Sequence, residues 1–150
     1  MNQAVISTSI GHFLVEENNR AIQLIKPTNE SETIRLSLLT KQLKDELNEY
    51  FAGLRTTFTI PYEITGTSFQ QAVLTELQKV KYGETISYKE LASRSQNPNS
   101  SRAVGTVCKK NPLLFIIPCH RIIKSDGSYG SYALGRNIKK RLIELEKHSS

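Results

Sequence analysis

The sequence predicts a mixed α/β protein, and two kinds of apolar pattern support this fold class. Residues 1–26 alternate loosely between apolar and polar side chains, which is typical of short strands. Later segments repeat apolar residues every third or fourth position, which is typical of amphipathic helices. The chain of 150 residues, 38% of them apolar, is long enough for a buried core. We expect a small sheet-plus-helix domain over residues 1–65, packed on a mostly helical domain over residues 66–150.

The N-terminal part is predicted to contain three strands, a helix and an edge strand. The strands are QAVISTS, HFLVEE and AIQLIK, which a glycine and an asparagine pair separate. A helix is predicted from Glu32 to Phe51, because leucines recur at helical spacing and Gly53 follows. The segment TTFTIPYEI then predicts an edge strand, since its proline cannot donate a ladder hydrogen bond.

The C-terminal part is predicted to be mainly helical. Thr67 or Ser68 can cap a first helix, which ends at the turn KYGE. Ser87 and Glu90 have the spacing of a capping box, so a short helix is expected over residues 87–93. The segment SQNPNS ends this helix, because the residue before a proline disfavours helical backbone.

A second short helix is expected over residues 100–110, and a final helix over residues 137–147. Two short helices with a tight polar connection resemble a helix-turn-helix. The second helix would expose mostly small residues, which suit close approach to the minor groove of DNA better than base reading in the major groove. The competing interpretation is a packed helical hairpin with alanine and glycine at a close crossing. The candidate DNA-contacting residues are Arg102, Ala103, Gly105, Thr106, Lys109 and Lys110.

Positive charge is concentrated in the C-terminal part. The net charge is +6, and residues 1–65 contain 6 Lys or Arg against 8 Asp or Glu. Residues 66–150 contain 14 Lys or Arg against 6 Asp or Glu. A surface with this excess is typical of proteins that meet a polyanion, although basic helices are often only solvated.

Cysteine and histidine are too few for most metal or disulfide scaffolds. Two cysteines, Cys108 and Cys119, cannot build a disulfide framework or a zinc site of four cysteines, and the three histidines are scattered. No apolar run approaches the length of a membrane helix, and no leader pattern opens the chain. We therefore expect a cytoplasmic protein of a reducing compartment, with no metal and no membrane partner.

The dipeptide Cys119-His120 is the strongest candidate for chemistry. A thiolate is a strong nucleophile, and an imidazole oriented by a carboxylate can remove the thiol proton. Neighbouring residues point to opposite faces of extended backbone, so such a relay needs a bend, which Pro118 makes plausible, or an intervening water. A buried and inert cysteine is the alternative, and the dipeptide alone favours that interpretation.

Several segments together resemble a known family, the O6-alkylguanine-DNA alkyltransferases, also called methylated-DNA–protein-cysteine methyltransferases. These segments are YGETISYKELA, SRAVGTVCKKNP, IPCHRII, SDGS and LIELE, and they extend from Thr67 to Glu146. The resemblance implies direct reversal of DNA damage: one irreversible transfer of an alkyl group from guanine O6 to Cys119, with thymine O4 left open as a second position. It implies no cofactor. For residues 1–65 it implies a ribonuclease H-like domain, on size and order of elements alone.

The resemblance also implies a role for individual residues. Cys119 would accept the alkyl group, His120 would remove its proton through a water, and Glu146 would orient His120. Asn111 would bind the backbone of the bend before the cysteine. Tyr88 would protonate the leaving guanine as a general acid, and Arg102 would fill the base stack when the damaged nucleotide is flipped out.

The resemblance places a guanine pocket between the cysteine and the last helix. Its residues would be Pro118, Ile122, Tyr132, Ala133 and Leu134. Relatives commonly have glycine where this chain has Leu134, so a narrower pocket or a stiffer loop is expected. Double-stranded DNA carrying O6-alkylguanine, held through its minor groove by a monomeric protein, is the expected partner.

Three other functions compete with the alkyltransferase interpretation. A non-catalytic relative that only marks alkylated guanine would lack the cysteine, so Cys119 speaks against it. A helix-turn-helix regulator with an inert cysteine would present longer side chains on its second helix. A cysteine hydrolase would turn over small acyl substrates without DNA. Alkylation would also overfill a packed thiol site, so the alkylated protein is expected to be less stable, by about 1–3 kcal/mol.

Overall fold

The structure is a computed structural model that describes residues 2–149. It contains five α-helices and five short strands over these residues, which confirms the predicted mixed α/β class. The chain forms two compact units. One contains the residues up to Glu63 together with Pro112–Leu114, and the other contains Ile64–Asn111 and the residues from Phe115 onward. No helix over residues 2–149 is both long and apolar enough to cross a membrane.

The N-terminal unit begins with a three-stranded antiparallel sheet. Its strands are β1 (Asn2–Thr8), β2 (Gly11–Glu17) and β3 (Ile22–Pro27), paired in chain order. In β2 alternate residues are buried, namely Phe13, Val15 and Glu17, and Ile6, the cross-strand partner of Phe13, is buried as well. The three predicted strands are therefore present, and the alternation is regular only in the central one.

The first helix, α1 (Leu38–Phe51), begins later than predicted. Ser37 caps it by accepting a hydrogen bond from the Thr40 N–H. The preceding residues bond to β1 instead of continuing the helix: Thr33 exchanges hydrogen bonds with Val5 through both its backbone and its hydroxyl. The prediction of helix from Glu32 was wrong because the edge of the sheet competes for these residues.

The predicted edge strand after α1 is reduced to one bridge, between Ile22 and Tyr62. The backbone N–H groups of Thr59 and Ile60 donate to the carboxylate of Glu46 at 2.8 and 3.2 Å. Pro61 has no N–H, so it cannot extend a ladder. The buried carboxylate of Glu46 thus accepts hydrogen bonds from the N–H groups that would otherwise pair with a neighbouring strand.

The C-terminal unit contains the four remaining helices. They are α2 (Ser68–Gln78), α3 (Tyr88–Arg94), α4 (Ser101–Lys109) and α5 (Arg136–Ser149). All lie within two residues of their predicted bounds. Thr67 and Gln70 form a full capping box at α2. At α3 only half of the predicted box is present, because Ser87 caps the helix while the carboxylate of Glu90 pairs with Arg94.

A two-stranded parallel sheet, which the sequence did not predict, fixes the start of α3. Strand β4 (Ile86–Ser87) pairs with β5 (Ile122–Ile123). Two-residue strands carry no periodic signal, so pattern reasoning cannot find them. The pairing brings Tyr88, the first residue of α3, close to the segment that directly follows Cys119.

Candidate active site

A tight turn presents the two residues of the Cys-His pair. Cys119, His120 and Arg121 form one turn of 3₁₀ helix, closed by a 2.9 Å hydrogen bond from the Arg121 N–H to the Pro118 carbonyl. This turn is a bend at the Cys-His pair, one of the two arrangements that the sequence left open. All three side chains are buried, with Cys119 4% exposed and His120 fully enclosed.

Asn111 holds the loop before the turn. Its side-chain amide donates to the Ile117 carbonyl at 2.8 Å and to the Cys119 Sγ at 3.3 Å. Phe115 has a φ of 70°, a left-handed conformation that is strained for a bulky residue. The amide therefore contacts both the backbone of the loop and the sulfur.

The carboxylate of Glu146, on α5, is the centre of a buried polar network. It lies 2.7 Å from the Nε2 of His120 and receives two hydrogen bonds from Arg121, from Nε at 2.8 Å and from Nη2 at 3.0 Å. The Gly83 N–H adds a fourth contact at 3.1 Å. Arg121 also donates through Nη1 to the Val80 carbonyl at 2.6 Å. Every polar contact needed to bury this carboxylate is thus supplied.

This network fixes the protonation of the histidine. Burial would raise the pKa of Glu146, but the hydrogen bonds from His120 and Arg121 outweigh it and lower the pKa to about 2. An ionised carboxylate can only accept, so Nε2 of His120 carries the proton and Nδ1 is the basic nitrogen. Burial also lowers the pKa of His120 below its usual value, which keeps the ring neutral at neutral pH.

The sulfur of Cys119 rests as a thiol. Burial raises its pKa to about 11, against the opposing effects of the Asn111 hydrogen bond and of the Lys139 ammonium. The second cysteine, Cys108, is buried on α4, and burial raises its pKa to about 12. A base is therefore needed to form the Cys119 thiolate, and a neutral imidazole is the group that the network provides.

Tyr88 lines an open pocket of about 230 Å³. Burial, followed by the two cysteines, raises the pKa of its phenol, so the hydroxyl stays protonated. Gly130 has a φ of 74°, and a Cβ built there would lie 3.3 Å from the Tyr88 hydroxyl. A glycine is required at this position both by the backbone conformation and by the tyrosine. The other residues of the pocket are Arg102, Gly105, Thr106, Lys109, Lys124 and Ser131.

The predicted DNA-contacting residues share one solvent-facing side of α4. Arg102, Ala103, Thr106, Lys109 and Lys110 are exposed, and Gly105 is half-buried with the Tyr88 ring beneath it. Three of them, together with Gly105, line the pocket at Tyr88. The opposite side of the helix, with Val104, Val107 and Cys108, is buried.

The residues predicted for the guanine pocket differ in how exposed they are. Pro118 and Ile122 are buried on either side of the 3₁₀ turn. Tyr132 packs its ring edge-on against His120, with centroids 6.4 Å apart. Ala133 is exposed and Leu134 is half-buried. Over residues 2–149, no group of three or more His, Cys, Asp or Glu side chains could hold a metal ion.

Two buried cations were missed from the sequence. Arg121 directly follows the Cys-His pair, but an arginine at that place has no spacing signal of its own. Lys139 is fully buried on α5 and shares one face of that helix with Leu142, Ile143 and Glu146. This helical face could have been detected from the sequence, since positions separated by three, four and seven residues lie together on a helix. A lysine among the apolar residues of that face was the sequence signal for a buried cation.

Known proteins resemble this chain in sequence. Residues 68–148 match the family model described as 6-O-methylguanine DNA methyltransferase, DNA binding domain. A methylated-DNA–protein-cysteine methyltransferase of Mycobacterium tuberculosis is 46% identical over 103 residues, which are 69% of this chain. The chain spans 62% of the length of that relative. A protein of the same name from Methanosarcina acetivorans is 34% identical over 153 residues, covering 97% of this chain and 98% of the relative.

Solved structures resemble the chain in fold as well. The crystal structure of Mycobacterium tuberculosis OGT in complex with DNA has a TM-score of 0.88 and 34% identity, covering 97% of this chain and 92% of that one. An O6-methylguanine DNA methyltransferase from Methanococcus jannaschii has a TM-score of 0.72 and 25% identity, covering 95% and 92%. The similarity includes both compact units, because nearly the whole chain is covered.

Proposed function

The chain belongs to the 6-O-methylguanine DNA methyltransferase family, and we propose that it repairs O6-alkylguanine in DNA by taking the alkyl group onto Cys119. The observation that carries the proposal is the buried pair of His120 and Glu146, with Arg121 on the same carboxylate, directly beside Cys119 in one turn of 3₁₀ helix. Such a network has no evident use in an inert core, because buried polar groups cost stability unless they are all paired.

The first step is removal of the thiol proton. Nδ1 of His120 takes it, through one water, while Nε2–H remains bonded to Glu146. The Asn111 amide, 3.3 Å from the sulfur, stabilises the thiolate that forms. Arg121 keeps Glu146 ionised, so the imidazolium that results lies beside a negative charge.

The second step is an in-line displacement at the alkyl carbon. A bond forms from the Cys119 sulfur to that carbon, and the bond from carbon to guanine O6 breaks with its electron pair moving into the base. The Tyr88 phenol gives its proton to the guanine ring nitrogen, and the proton on His120 restores the phenol through solvent. The product is a neutral guanine and a thioether. A thioether does not hydrolyse in water under physiological conditions, so each protein acts once.

DNA is the partner, bound through the minor groove by the exposed side of α4. Support comes from the small residues on that side and from the position of Arg102 at the pocket that contains Tyr88. We assign α3 and α4 as a helix-turn-helix, Arg102 as the residue that replaces the flipped nucleotide, and Lys109 and Lys110 as phosphate contacts. The guanine pocket is formed by Pro118, Ile122, Tyr132, Ala133 and Leu134.

Three finer assignments belong to the same proposal. The N-terminal unit is ribonuclease H-like, which its antiparallel sheet followed by a helix supports. The protein acts as a monomer, because the relay and the pocket are made within one chain. O4-alkylthymine stays open as a second substrate, and an oligonucleotide that carries it is tested beside the guanine lesion in the same assay.

The test is the mass of the intact protein after incubation with an oligonucleotide that carries one O6-methylguanine. We expect one added methyl group on the wild type and on Cys108→Ser, and none on Cys119→Ser. Absence of added mass with tight, reversible binding of the lesion would instead indicate a protein that marks damage. Absence of both would contradict the proposal, and turnover of small acyl esters without DNA would then indicate a hydrolase.

A further inference from the structure

Lys124 is a cation of the pocket at Tyr88 to which the mechanism above gives no role. It is exposed, it directly follows β5, and it lines this pocket together with Arg102 and Lys109. Among the described residues that line the pocket, none is acidic. Arg102 and Lys109 come from α4, whereas Lys124 comes from the loop after the cysteine turn. Positive charge therefore reaches the pocket from two separate elements.

The backbone of Lys124 is fixed by the tight turn that follows it. Its N–H donates to the Ser128 carbonyl at 2.9 Å, and its carbonyl accepts from the Gly127 N–H at 3.0 Å. The carboxylate of this turn, that of Asp126, accepts hydrogen bonds from the Ser128 N–H at 2.9 Å and from the Ser128 hydroxyl at 2.7 Å. Over residues 2–149 the ammonium of Lys124 forms no ion pair. The lysine thus starts from a rigid position and keeps its charge available.

The stem of Lys124 lies beside the Tyr88 phenol. A Cβ built on Gly130 would lie 3.6 Å from the Lys124 Cγ and 3.3 Å from the Tyr88 hydroxyl oxygen. One point of the loop is therefore in contact range of both side chains. A substrate group that reaches the phenol passes close to the lysine.

The proposed reaction places phosphates at this pocket. The damaged base has to reach the Tyr88 phenol, while Arg102 fills the place in the stack that the base has left. Both residues line the pocket, so the sugar and the phosphates that join the flipped nucleotide to its strand lie at or beside it. Each phosphate carries a full negative charge, and a lysine ammonium binds such a group as a point charge with hydrogen-bond donors.

We propose that Lys124 binds a phosphate next to the flipped nucleotide and so stabilises the extrahelical state from which the alkyl group is transferred. The inference rests on the proposed function, because the flipped nucleotide is the substrate of that reaction. A phosphate contact on the groove side raises the affinity for any duplex. The contact of Lys124 forms when a nucleotide has left the stack, so it favours the flipped state over the stacked one.

The experiment removes each partner of this contact separately and then both together. The lysine is changed in Lys124→Met, and the two phosphates that flank O6-methylguanine are replaced by neutral methylphosphonates in the duplex. Methyl transfer at a saturating concentration of each duplex is followed by intact-protein mass in single-turnover experiments. The control is Lys140→Met, which removes the same charge from an exposed position on α5.

We expect Lys124→Met to slow transfer from the ordinary duplex about tenfold, the effect of one hydrogen bond to a charged group. The methylphosphonates should slow the wild type and Lys140→Met by a factor about tenfold larger than the factor for Lys124→Met, because that variant has already lost the contact. Transfer by Lys124→Met at the wild-type rate would overturn the inference. So would equal slowing of Lys124→Met and the wild type by the methylphosphonates, since the two changes would then act independently.

The same comparison is made without the reaction, from the affinity of Cys119→Ser for each duplex, with and without Lys124→Met. If the wild type takes no methyl group from the ordinary duplex, the proposed function fails and these affinities decide the inference. Coupling of about tenfold between the lysine and the phosphates would support it, and independent effects would overturn it. For an undamaged duplex, Lys124→Met and Lys140→Met should lose similar affinity, because its nucleotides stay stacked. A loss in Lys124→Met that is as large for undamaged as for damaged DNA would show a general contact and contradict the proposal.

Discussion

Two buried glutamates, one in each compact unit, show how similar burial can serve different purposes. Glu46 is 3% exposed and Glu146 is 2% exposed. Glu46 accepts hydrogen bonds from backbone N–H groups, an amide and a hydroxyl, and its ion pair with Arg55 is long, at 3.8 Å. Glu146 accepts hydrogen bonds from an imidazole and a guanidinium. Glu46 therefore anchors a loop, whereas Glu146 sets the protonation of His120, the residue that follows Cys119.

The two glutamates differ in whether a hydrogen-bond partner can gain a proton. Burial would raise the pKa of both carboxyls, and in both cases hydrogen bonds reverse the effect and lower it. Both groups thus contribute stability above the ordinary carboxyl pKa, which is lost as the pH falls through their lowered values. Only at Glu146 does the charge also act on a neighbour with a proton to gain. Burial and a shifted pKa alone do not identify a site.

The largest expected effect is on stability, from Arg121→Met. This variant leaves the buried carboxylate of Glu146 without its two-point partner, so the free energy of unfolding should fall by about 3–5 kcal/mol in denaturant titrations. The matched change is Arg94→Met, which removes a solvent-exposed ion pair with Glu90 at 3.1 Å and should cost less than about 1 kcal/mol. Equal losses would mean that the Glu146 network is no more stabilising than a surface pair.

The next effect is on rate, from His120→Gln. Loss of a general base should slow alkyl transfer about 10²–10⁴-fold in single-turnover experiments. His12→Gln changes a surface histidine of the other unit, which contacts the Glu30 carbonyl, and should leave the rate unchanged. A His120→Gln protein that reacts at the wild-type rate while folded would remove the imidazole from the mechanism.

A smaller effect is expected from the reaction itself. A methyl group on the enclosed sulfur of Cys119 overfills its site, and the free energy of unfolding should fall by about 1–3 kcal/mol. Thermal unfolding of the protein before and after one equivalent of O6-methylguanine DNA measures this change. An unchanged melting temperature would show that the loop adapts without strain.

The sequence predicted the strands of the N-terminal unit and the helices of the C-terminal unit, because apolar periodicity carries both signals. It placed the start of α1 too early, since nothing local shows that Thr33 would bond to β1. It also predicted a strand where Glu46 takes the backbone N–H groups of Thr59 and Ile60. Both errors arose from contacts between residues far apart in the chain.

The residues of the candidate site also divide into those that the sequence indicated and those that it did not. The chemistry of the Cys-His pair made it a candidate, but only the family resemblance favoured it over an inert cysteine, and the same resemblance implied Asn111, Tyr88 and Glu146. Arg121 and Lys139 were missed, because their importance depends on burial beside specific partners. A sequence pattern indicates which groups could react, but not which charges are enclosed with them.

The most direct test compares Glu146→Gln with Glu46→Gln, in alkyl transfer and in unfolding. We predict that Glu146→Gln slows transfer by about 10² or more, because the His120 tautomer is no longer fixed by a negative charge. Glu46→Gln should lower stability yet transfer within about twofold of the wild-type rate at temperatures where it is folded. If both variants lost transfer to a similar extent, or if neither lost it, the claim that the buried carboxylate of Glu146 supports alkyl transfer through His120 would be contradicted.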